Sequence, residues 1–187
     1  LLELGMHTGG SIKMWRDYFP YARCFGVDIN PIDMTHEDRI FTYQGDATAP
    51  DFLKAFRKSN GVEKFDIIID DASHMGRSTQ KSFEMLFKNH LSAGGMYVVE
   101  DWGTGYMPDW PDGELYQDLT QSSQKSFLNR KSNAIRSHDS GLVGYVKSLV
   151  DHVGCPDILA FQGKKEDLGI EYITFTPGLV FLKKRSN

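Results

Sequence analysis

The sequence predicts an α/β fold, in which a doubly wound, mostly parallel sheet ends in a C-terminal antiparallel hairpin strand. Three observations support this prediction. Short apolar runs alternate with longer amphipathic stretches, which is typical of a parallel sheet with helices on both faces. The first apolar run leads directly into a glycine-rich turn. The chain closes with two β-rich runs around Pro177 and Gly178, a pattern that indicates a hairpin.

Composition limits the classes of partner. With 187 residues, of which 40% are hydrophobic and 25% charged, we expect a single globular domain over 1–187. The net charge of −4 provides no basic surface, so we expect no nucleic-acid partner. We find neither an apolar run of about 18 residues nor a signal peptide, and Cys24 and Cys155 form no disulfide framework. These features favour a cytoplasmic protein with no membrane partner.

The predicted strands are apolar runs bounded by glycines or acids. The strongest contains three consecutive isoleucines and is rich in β-branched residues. The strands cover 1–5, 24–30, 41–47, 65–74 and 94–103, followed by the hairpin at 171–184.

The predicted helices are stretches with apolar residues at helical spacing. They cover 12–19, 49–59, 78–91, 114–130 and 141–153. The loop 102–113 follows a strand, so it should lie at the carboxyl edge of the sheet, where such folds bind ligands. We expect His138 to cap the last helix. The remaining histidines outside the predicted site are expected on the surface, namely His36, His90 and His152.

Acidic residues lie at or near the ends of five predicted strands. A parallel sheet brings these ends to one rim, where crowded carboxylates repel one another unless a positive group binds. A single such acid would more often be a solvated strand end or a helix cap. Acids at five strand ends together favour a cationic cofactor, a hard metal ion, or both. The acids are Glu3, Asp28, Asp46, the pair Asp70–Asp71 and the pair Glu100–Asp101.

The spacing after the first strand is typical of a nucleoside cofactor. Glycines let the backbone approach a ligand and open a helix N-terminus, and Asp28, 23 residues after Gly5, could accept both hydroxyls of a ribose. Domains that bind NAD and domains that bind S-adenosylmethionine (SAM) share this arrangement. His7 occupies the place of the second glycine in the dinucleotide fingerprint, and a pyrophosphate would require that glycine. SAM has no phosphate and is therefore favoured.

The acids of the fourth and fifth strands predict a metal site. Side chains alternate along a strand, so only one of Asp70 and Asp71 can point each way. We assign Asp71 to the metal and Asp70 to the cofactor. Asp71, Glu100 and Asp101 would form an all-oxygen site suited to Mg²⁺ or Ca²⁺. His74 is better suited to act as a general base than as a ligand.

Five segments in this order resemble the class I SAM-dependent methyltransferases, which have a Rossmann-like fold. More narrowly, they resemble the metal-dependent sugar O-methyltransferases of macrolide biosynthesis and the related cephalosporin hydroxylase-like group. Ala72 stands where that group usually has glycine. The resemblance covers 1–110 and 170–184, whereas 111–169 match loosely and are expected to help define the acceptor pocket. The segments are ELGMHTGGS, GVDIN, QGDAT, IIIDDASH and GGMYVVED.

The resemblance implies a role for each predicted site residue. Glu3 and the turn with Gly5, Gly9, Gly10 and Ser11 would hold the methionine part of SAM. Asp28 would hold the ribose, and Asp46 with Ala47 the adenine. Asp71, Glu100 and Asp101 would hold Mg²⁺, with His74 as the base.

The resemblance also implies an activity, namely Mg²⁺-dependent O-methylation of a hydroxyl on a sugar or secondary metabolite. We expect a small, glycosylated acceptor beside Trp102, Tyr106 and Trp110. We also expect a homo-oligomer, and a further N-terminal segment that this chain lacks. The alternatives are another enzyme on the same scaffold, either cephalosporin hydroxylase-like or nicotinamide-dependent, and a non-catalytic cofactor-binding module.

Overall fold

Seven strands form one sheet in the structure, a computed structural model that describes residues 1–32, 38–114, 116, 137–162 and 167–186. The strands are β1 (Leu2–Leu4), β2 (Cys24–Asp28), β3 (Ile40–Gln44), β4 (Phe65–Asp70), β5 (Leu91–Glu100), β6 (Ile170–Phe175) and β7 (Leu179–Lys184). Their spatial order is β3-β2-β1-β4-β5-β7-β6. Strands β1 to β5 are parallel, and β7 is antiparallel to both β5 and β6. The predicted fold class is confirmed, and the hairpin places β7 inside the sheet and β6 at its edge.

The described helices begin earlier or end later than the apolar pattern indicated. The last one runs nine residues past the predicted end at 153. The predicted helix 114–130 lies outside the described residues except for 114 and 116. Among the described residues, no helix is long and apolar enough to cross a membrane. The helices are α1 (Gly10–Tyr18), α2 (Pro50–Asn60), α3 (Gly76–Asn89), a 3₁₀ helix (Trp102–Tyr106) and α4 (Gly141–Gln162).

The two faces of the sheet bury different side chains because successive residues of a strand point in opposite directions. Phe25 of β2 points to the face that α2, α3 and α4 cover, and it packs against Phe56 of α2 with ring centroids 6.1 Å apart. Its neighbour Cys24 points to the opposite face, beside Ile12 and Trp15 of α1. Helices on both faces leave the strand ends as the exposed rim of the sheet.

Strand β5 begins at Leu91, three residues before the predicted glycine pair. The pairing with β4 shifts register between Phe65 and Ile67, and Gly94 has a φ of 71° within the strand. The early start buries His90, which is 8% exposed, so its predicted surface position is wrong. Burial lowers the pKa of His90. His152 is half-buried, and His36 lies outside the described residues.

Lys184, near the end of β7, anchors the end of α3. Its ammonium donates to the carbonyl oxygens of Phe87 at 2.7 Å, Lys88 at 2.9 Å and Leu91 at 2.8 Å. Charge-assisted bonds to the last carbonyls of a helix satisfy acceptors that have no partner within the helix.

We expect Lys184→Met to lower the free energy of unfolding by about 3 kcal/mol, because the three carbonyls lose a charged donor. Urea denaturation measures the change. Lys81→Met is the matched control, since Lys81 is an exposed lysine on α3. Equal stability of the two variants would contradict the anchoring role.

Candidate functional site

A single cleft of about 640 Å³ runs along the carboxyl ends of the five parallel strands. It opens where the chain order reverses, between β1 and β4, which is where open α/β sheets bind ligands. The lining includes predicted site residues that follow all five strands. These are Gly5, Asp28, Asp46, Ala47, Asp70, Asp71, His74 and Asp101.

The glycine turn after β1 combines one structural glycine with an open helix start. Gly5 has a φ of 81°, and a Cβ there would lie 2.3 Å from the carbonyl oxygen of Asp71. Glycine at this position is therefore required by the contact between β1 and β4, whatever binds nearby. Gly9, at φ 79°, precedes α1, and a Cβ on Gly10 would meet no atom within 4 Å. There is thus open space beside Gly10 at the start of α1, where the first backbone amides of the helix, including that of Ser11, are found.

Glu3 is a carboxylate buried inside β1. It is 1% exposed, and its Oε2 has no hydrogen-bond partner among the described residues. Burial raises the pKa of Glu3 to about 7, with the Ser11 hydroxyl opposing the rise and the charges of Asp71 and Glu100 adding to it. A buried acceptor without a donor is costly in the fold and well suited to a cationic ligand.

The buried Glu3 predicts a pH-dependent stability in protein free of metal and cofactor. Its pKa rises on folding from 4.5 to about 7, so the folded state binds more protons between these values. Stability is therefore lost as the pH rises through that window, by about 3 kcal/mol at pH 8. We expect Glu3→Gln to be more stable than wild type at pH 8 and equal to it near pH 4.5, as measured by denaturation in chelator. Glu63→Gln, which alters an exposed glutamate, should show no such divergence.

Asp28 and Asp46 shape the part of the cleft formed by β2 and β3. Oδ2 of Asp28 accepts the amides of Met6 (2.8 Å) and His7 (3.2 Å), and Oδ1 accepts that of Asn30 (2.8 Å). Burial raises the pKa of Asp28, but these amides outweigh it and hold the pKa below its usual value. A carboxylate has about four acceptor positions, so Asp28 can still accept a hydroxyl. The Asp46 bonds in the described structure use Oδ1, which binds the amide and hydroxyl of Thr48.

Asp70 lies on the floor of the cleft in a buried network. Its Oδ2 accepts the Ser82 hydroxyl at 2.5 Å and the Tyr97 hydroxyl at 3.0 Å. Burial raises its pKa, against the effect of both hydroxyls. Contact of Asp70 with a cofactor stays a prediction. The structure shows that it joins β4, α3 and β5 beneath the site.

Three of the predicted metal and catalytic residues meet at the other end of the cleft. One ligand atom from each of Asp71, His74 and Asp101 lies within 4.8 Å of the others, and Nε2 of His74 is 3.8 Å from Oδ1 of Asp71. Glu100 lies outside this group, although its pKa is raised by burial and by the charges of Asp71 and Asp101. Burial also raises the pKa of Asp71, which the charge of Asp101 reinforces.

Backbone strain concentrates at this cleft. Of the four described non-glycine residues with positive φ, three line it: His7 (46°), His74 (49°) and Asp101 (50°). Such conformations cost about 1–3 kcal/mol each and persist only where surrounding contacts impose them. The Thr104 hydroxyl donates to the His74 carbonyl at 3.3 Å, and the Asp101 amide donates to the carbonyl of Gly178 at 2.8 Å. The hairpin turn therefore fixes the end of the cleft that contains Asp101, which local sequence patterns did not reveal.

The aromatic residues of the 102–113 loop have separate roles. Trp110 packs against the His74 ring with centroids 5.7 Å apart, so it stays a candidate for the acceptor wall. Trp102 instead donates to the Thr176 carbonyl at 2.8 Å and serves the hairpin. Tyr106 packs on His138, whose Nδ1 accepts the amide of Ser140, the residue before α4, at 3.3 Å. The amide of Leu142 in the first turn of α4 donates to Asp112 instead, so His138 supports the approach to the helix and Asp112 caps it.

Comparison with known proteins agrees with this geometry. A family model for FtsJ-like methyltransferases matches residues 1–104. The chain belongs to the FtsJ-like methyltransferase family. Because the match spans β1 to β5, it contains the cleft lining and every residue predicted to bind the cofactor or the metal or to act as the base.

The similar proteins include O-methyltransferases that act on sugars. The chain is 32% identical over 182 residues to the 8-demethyl-8-alpha-L-rhamnosyl tetracenomycin-C 2'-O-methyltransferase of Streptomyces olivaceus, covering 96% of this chain and 42% of that protein. It is 43% identical over 102 residues to the mycinamicin VI 2''-O-methyltransferase of Micromonospora griseorubida, covering 54% of this chain and 24% of that protein. The chain thus spans less than half of the length of these relatives.

One solved structure shows what a similar protein binds. The chain superimposes on the MycE methyltransferase of the mycinamycin biosynthetic pathway, in complex with Mg, SAH and mycinamycin VI, with a TM-score of 0.70 and 29% identity. The alignment covers 100% of this chain and 45% of MycE. This member of the FtsJ-like methyltransferase family therefore aligns over its whole length with part of an enzyme solved in complex with Mg, SAH and mycinamycin VI.

Proposed function

We propose that this chain forms the catalytic part of a SAM-dependent, Mg²⁺-dependent O-methyltransferase that acts on a hydroxyl of a glycosylated small molecule. The observation that carries the proposal is the single cleft that joins Asp28 and Asp46 at one end to Asp71, His74 and Asp101 at the other. A methyl donor and a metal-bound acceptor can thus lie side by side, as in-line transfer requires.

The residues present fit SAM. The unpartnered, buried Oε2 of Glu3 suits the ammonium of the methionine part, beside the open start of α1 at Gly9, Gly10 and Ser11. Asp28 retains acceptor capacity for the ribose hydroxyls. Asp46 and Ala47 would border the adenine, and Asp70 would support the floor between the two ligands.

The residues also fit Mg²⁺. Asp71 and Asp101 provide hard oxygen donors close together, and Glu100 lies near enough for its charge to couple with theirs. When bound, SAM supplies an electrophilic methyl group and Mg²⁺ supplies charge that orients and acidifies an acceptor hydroxyl. His74, 3.8 Å from Asp71, would take the hydroxyl proton as the oxygen attacks.

The acceptor would approach from the side of Trp110, whose ring borders His74. Sugars and aglycones pack well on such faces. The relatives named above are a 2'-O-methyltransferase of a rhamnosyl tetracenomycin and a 2''-O-methyltransferase of mycinamicin VI, and MycE was solved in complex with mycinamycin VI. The net charge of −4 does not favour a nucleic-acid partner. Assembly into a homo-oligomer stays a prediction.

Two measurements test the proposal. Calorimetry should show binding of SAM or S-adenosylhomocysteine, and a methyl-transfer assay over a panel of glycosides and their aglycones should show Mg²⁺-dependent activity on the glycosides alone. A chelator should abolish this activity. Absence of SAM binding with and without Mg²⁺ would refute the proposal. A hydroxylated rather than methylated product would favour the cephalosporin hydroxylase-like alternative.

A further inference from the structure

Asp112 joins the starts of two helices through one carboxylate oxygen. Its Oδ2 accepts the amide of Gly76, the first residue of α3, at 2.8 Å and the amide of Leu142, the second residue of α4, at 2.7 Å. Asp112 is 9% exposed. Because the N-terminus of a helix carries unpaired amides and partial positive charge, a carboxylate shared by two such ends is strongly held.

The packing around this junction leaves no room for adjustment. A Cβ on Gly76 would lie 2.3 Å from the carbonyl carbon of Gly141, and a Cβ on Gly141 would lie 2.6 Å from the Asp112 carboxyl carbon. On its other side, the Asp112 carbonyl accepts from Nε2 of the buried His138 at 3.2 Å. The Asp112 backbone and side chain are therefore both fixed.

The junction lies next to His74 along two separate paths. Gly76 follows His74 by two residues, so Asp112 anchors the segment in which His74 adopts its strained φ of 49°. Trp110 precedes Asp112 by two residues, and its ring borders the His74 ring. Both the backbone and the ring of His74 thus face elements that Asp112 holds.

We propose that Asp112 is a positioning residue for His74, acting through the α3 start and through Trp110. Asp112 does not line the cleft, and it is not one of the residues predicted to bind the cofactor or the metal. Its role is to keep the imidazole of His74 directed at Asp71. The inference has two consequences. The geometric consequence, a change in the position of the His74 ring, can be measured without any substrate. Only the catalytic consequence, a change in activity, rests on the proposed function.

The geometric consequence is tested by the imidazole resonances of His74 in protein labelled with ¹⁵N-histidine, identified by their loss in His74→Ala. We expect Asp112→Asn and Asp112→Ala to shift these resonances. The Asn variant preserves the side-chain shape and one acceptor oxygen, so it should shift them less and should fold if the Ala variant does not. Asp109→Asn removes an exposed carboxylate three residues before Asp112 and should leave them unchanged. Unchanged His74 resonances in both folded Asp112 variants would overturn the proposal.

The catalytic consequence is tested by a double-mutant cycle. We expect Asp112→Asn to lower kcat about 10- to 100-fold while leaving the Kd of SAM unchanged. In a His74→Ala background the same change should have no further effect, because Asp112 acts through His74. Equal losses in both backgrounds would overturn the proposal. If wild type methylates no acceptor, the proposed function fails, and the resonances still decide the positioning role.

Discussion

Replacing His74 with alanine is expected to lower kcat about 10²- to 10⁴-fold and to leave the affinity for SAM unchanged. The loss follows from position. The His74 ring lies at the end of the cleft that contains Asp71, 15% exposed and 3.8 Å from that carboxylate, whereas Asp28 and Asp46 lie at the other end. In the proposed reaction the acceptor is a sugar hydroxyl, which is a weak acid, and His74 takes its proton. Without His74 the methyl donor would then stay bound and unreactive.

The same variant separates a base from a metal ligand. Asp71, His74 and Asp101 are close enough for all three to contact one ion. If His74 is the base, the Kd of Mg²⁺ in His74→Ala should stay within about threefold of wild type. A tenfold or greater loss of Mg²⁺ affinity would make His74 a ligand and end its assignment as the base. His152→Ala, on α4 and outside the cleft lining, should leave both kcat and Mg²⁺ affinity unchanged.

The acids of the cleft could be predicted from the sequence because their arrangement depends on one local rule. Each follows an apolar run, and parallel strands bring such ends to the same edge. The structure places Asp46, Asp28, Asp71 and Asp101 in the lining of the cleft at that edge, in the order of the strands. Glu3 is the exception, because it lies buried within β1 and outside that lining. Knowing which runs were strands was enough to group them.

The residues that hold the site in shape could not be predicted in this way. Asp112 bonds to Gly76 and Leu142 across 36 and 30 residues, and Trp102 bonds to the Thr176 carbonyl across 74. No periodicity or motif links such distant positions. The positive φ of His74 is likewise imposed by tertiary contacts, since the residue itself only tolerates that conformation.

Glu100 shows a finer limit of sequence reasoning. The motif places it with Asp71 and Asp101 as a metal ligand, yet its carboxylate lies outside the group those residues form with His74. Glu100 is the last residue of β5, whereas Asp101 follows it with a φ of 50°, so the direction of the Asp101 side chain is not set by strand alternation. Whether Glu100 is a ligand stays a prediction.

The second large effect is expected from Asp71→Asn, which should weaken Mg²⁺ binding and raise the stability of the metal-free protein. Asp71→Asn removes a charged oxygen from the predicted metal site. Loss of a residue that only supports a metal ligand weakens metal binding by roughly 10- to 100-fold, so we expect loss of this ligand to weaken Mg²⁺ binding by more. Methyl transfer should fall accordingly. Because burial raises the pKa of Asp71 and Glu100, Mg²⁺ competes with protons there, and wild-type affinity should weaken as the pH falls.

In the metal-free protein the same substitution should stabilise the fold. Burial raises the pKa of the half-buried Asp71 carboxyl, and the charges of Asp101 and Asp70 add to that rise while the charge of His74 opposes it. The neutral amide of asparagine removes the cost of burying this charge. In chelator, the Tm of Asp71→Asn should therefore exceed that of wild type. In millimolar Mg²⁺ the order should reverse, because only wild type gains the stabilisation that a bound ligand provides. Asp66→Asn, an exposed acid on β4, should track wild type in both conditions. A lower Tm for Asp71→Asn in chelator would mean that Asp71 supports the fold rather than a metal, because carboxylates gathered for a cation repel one another until it binds.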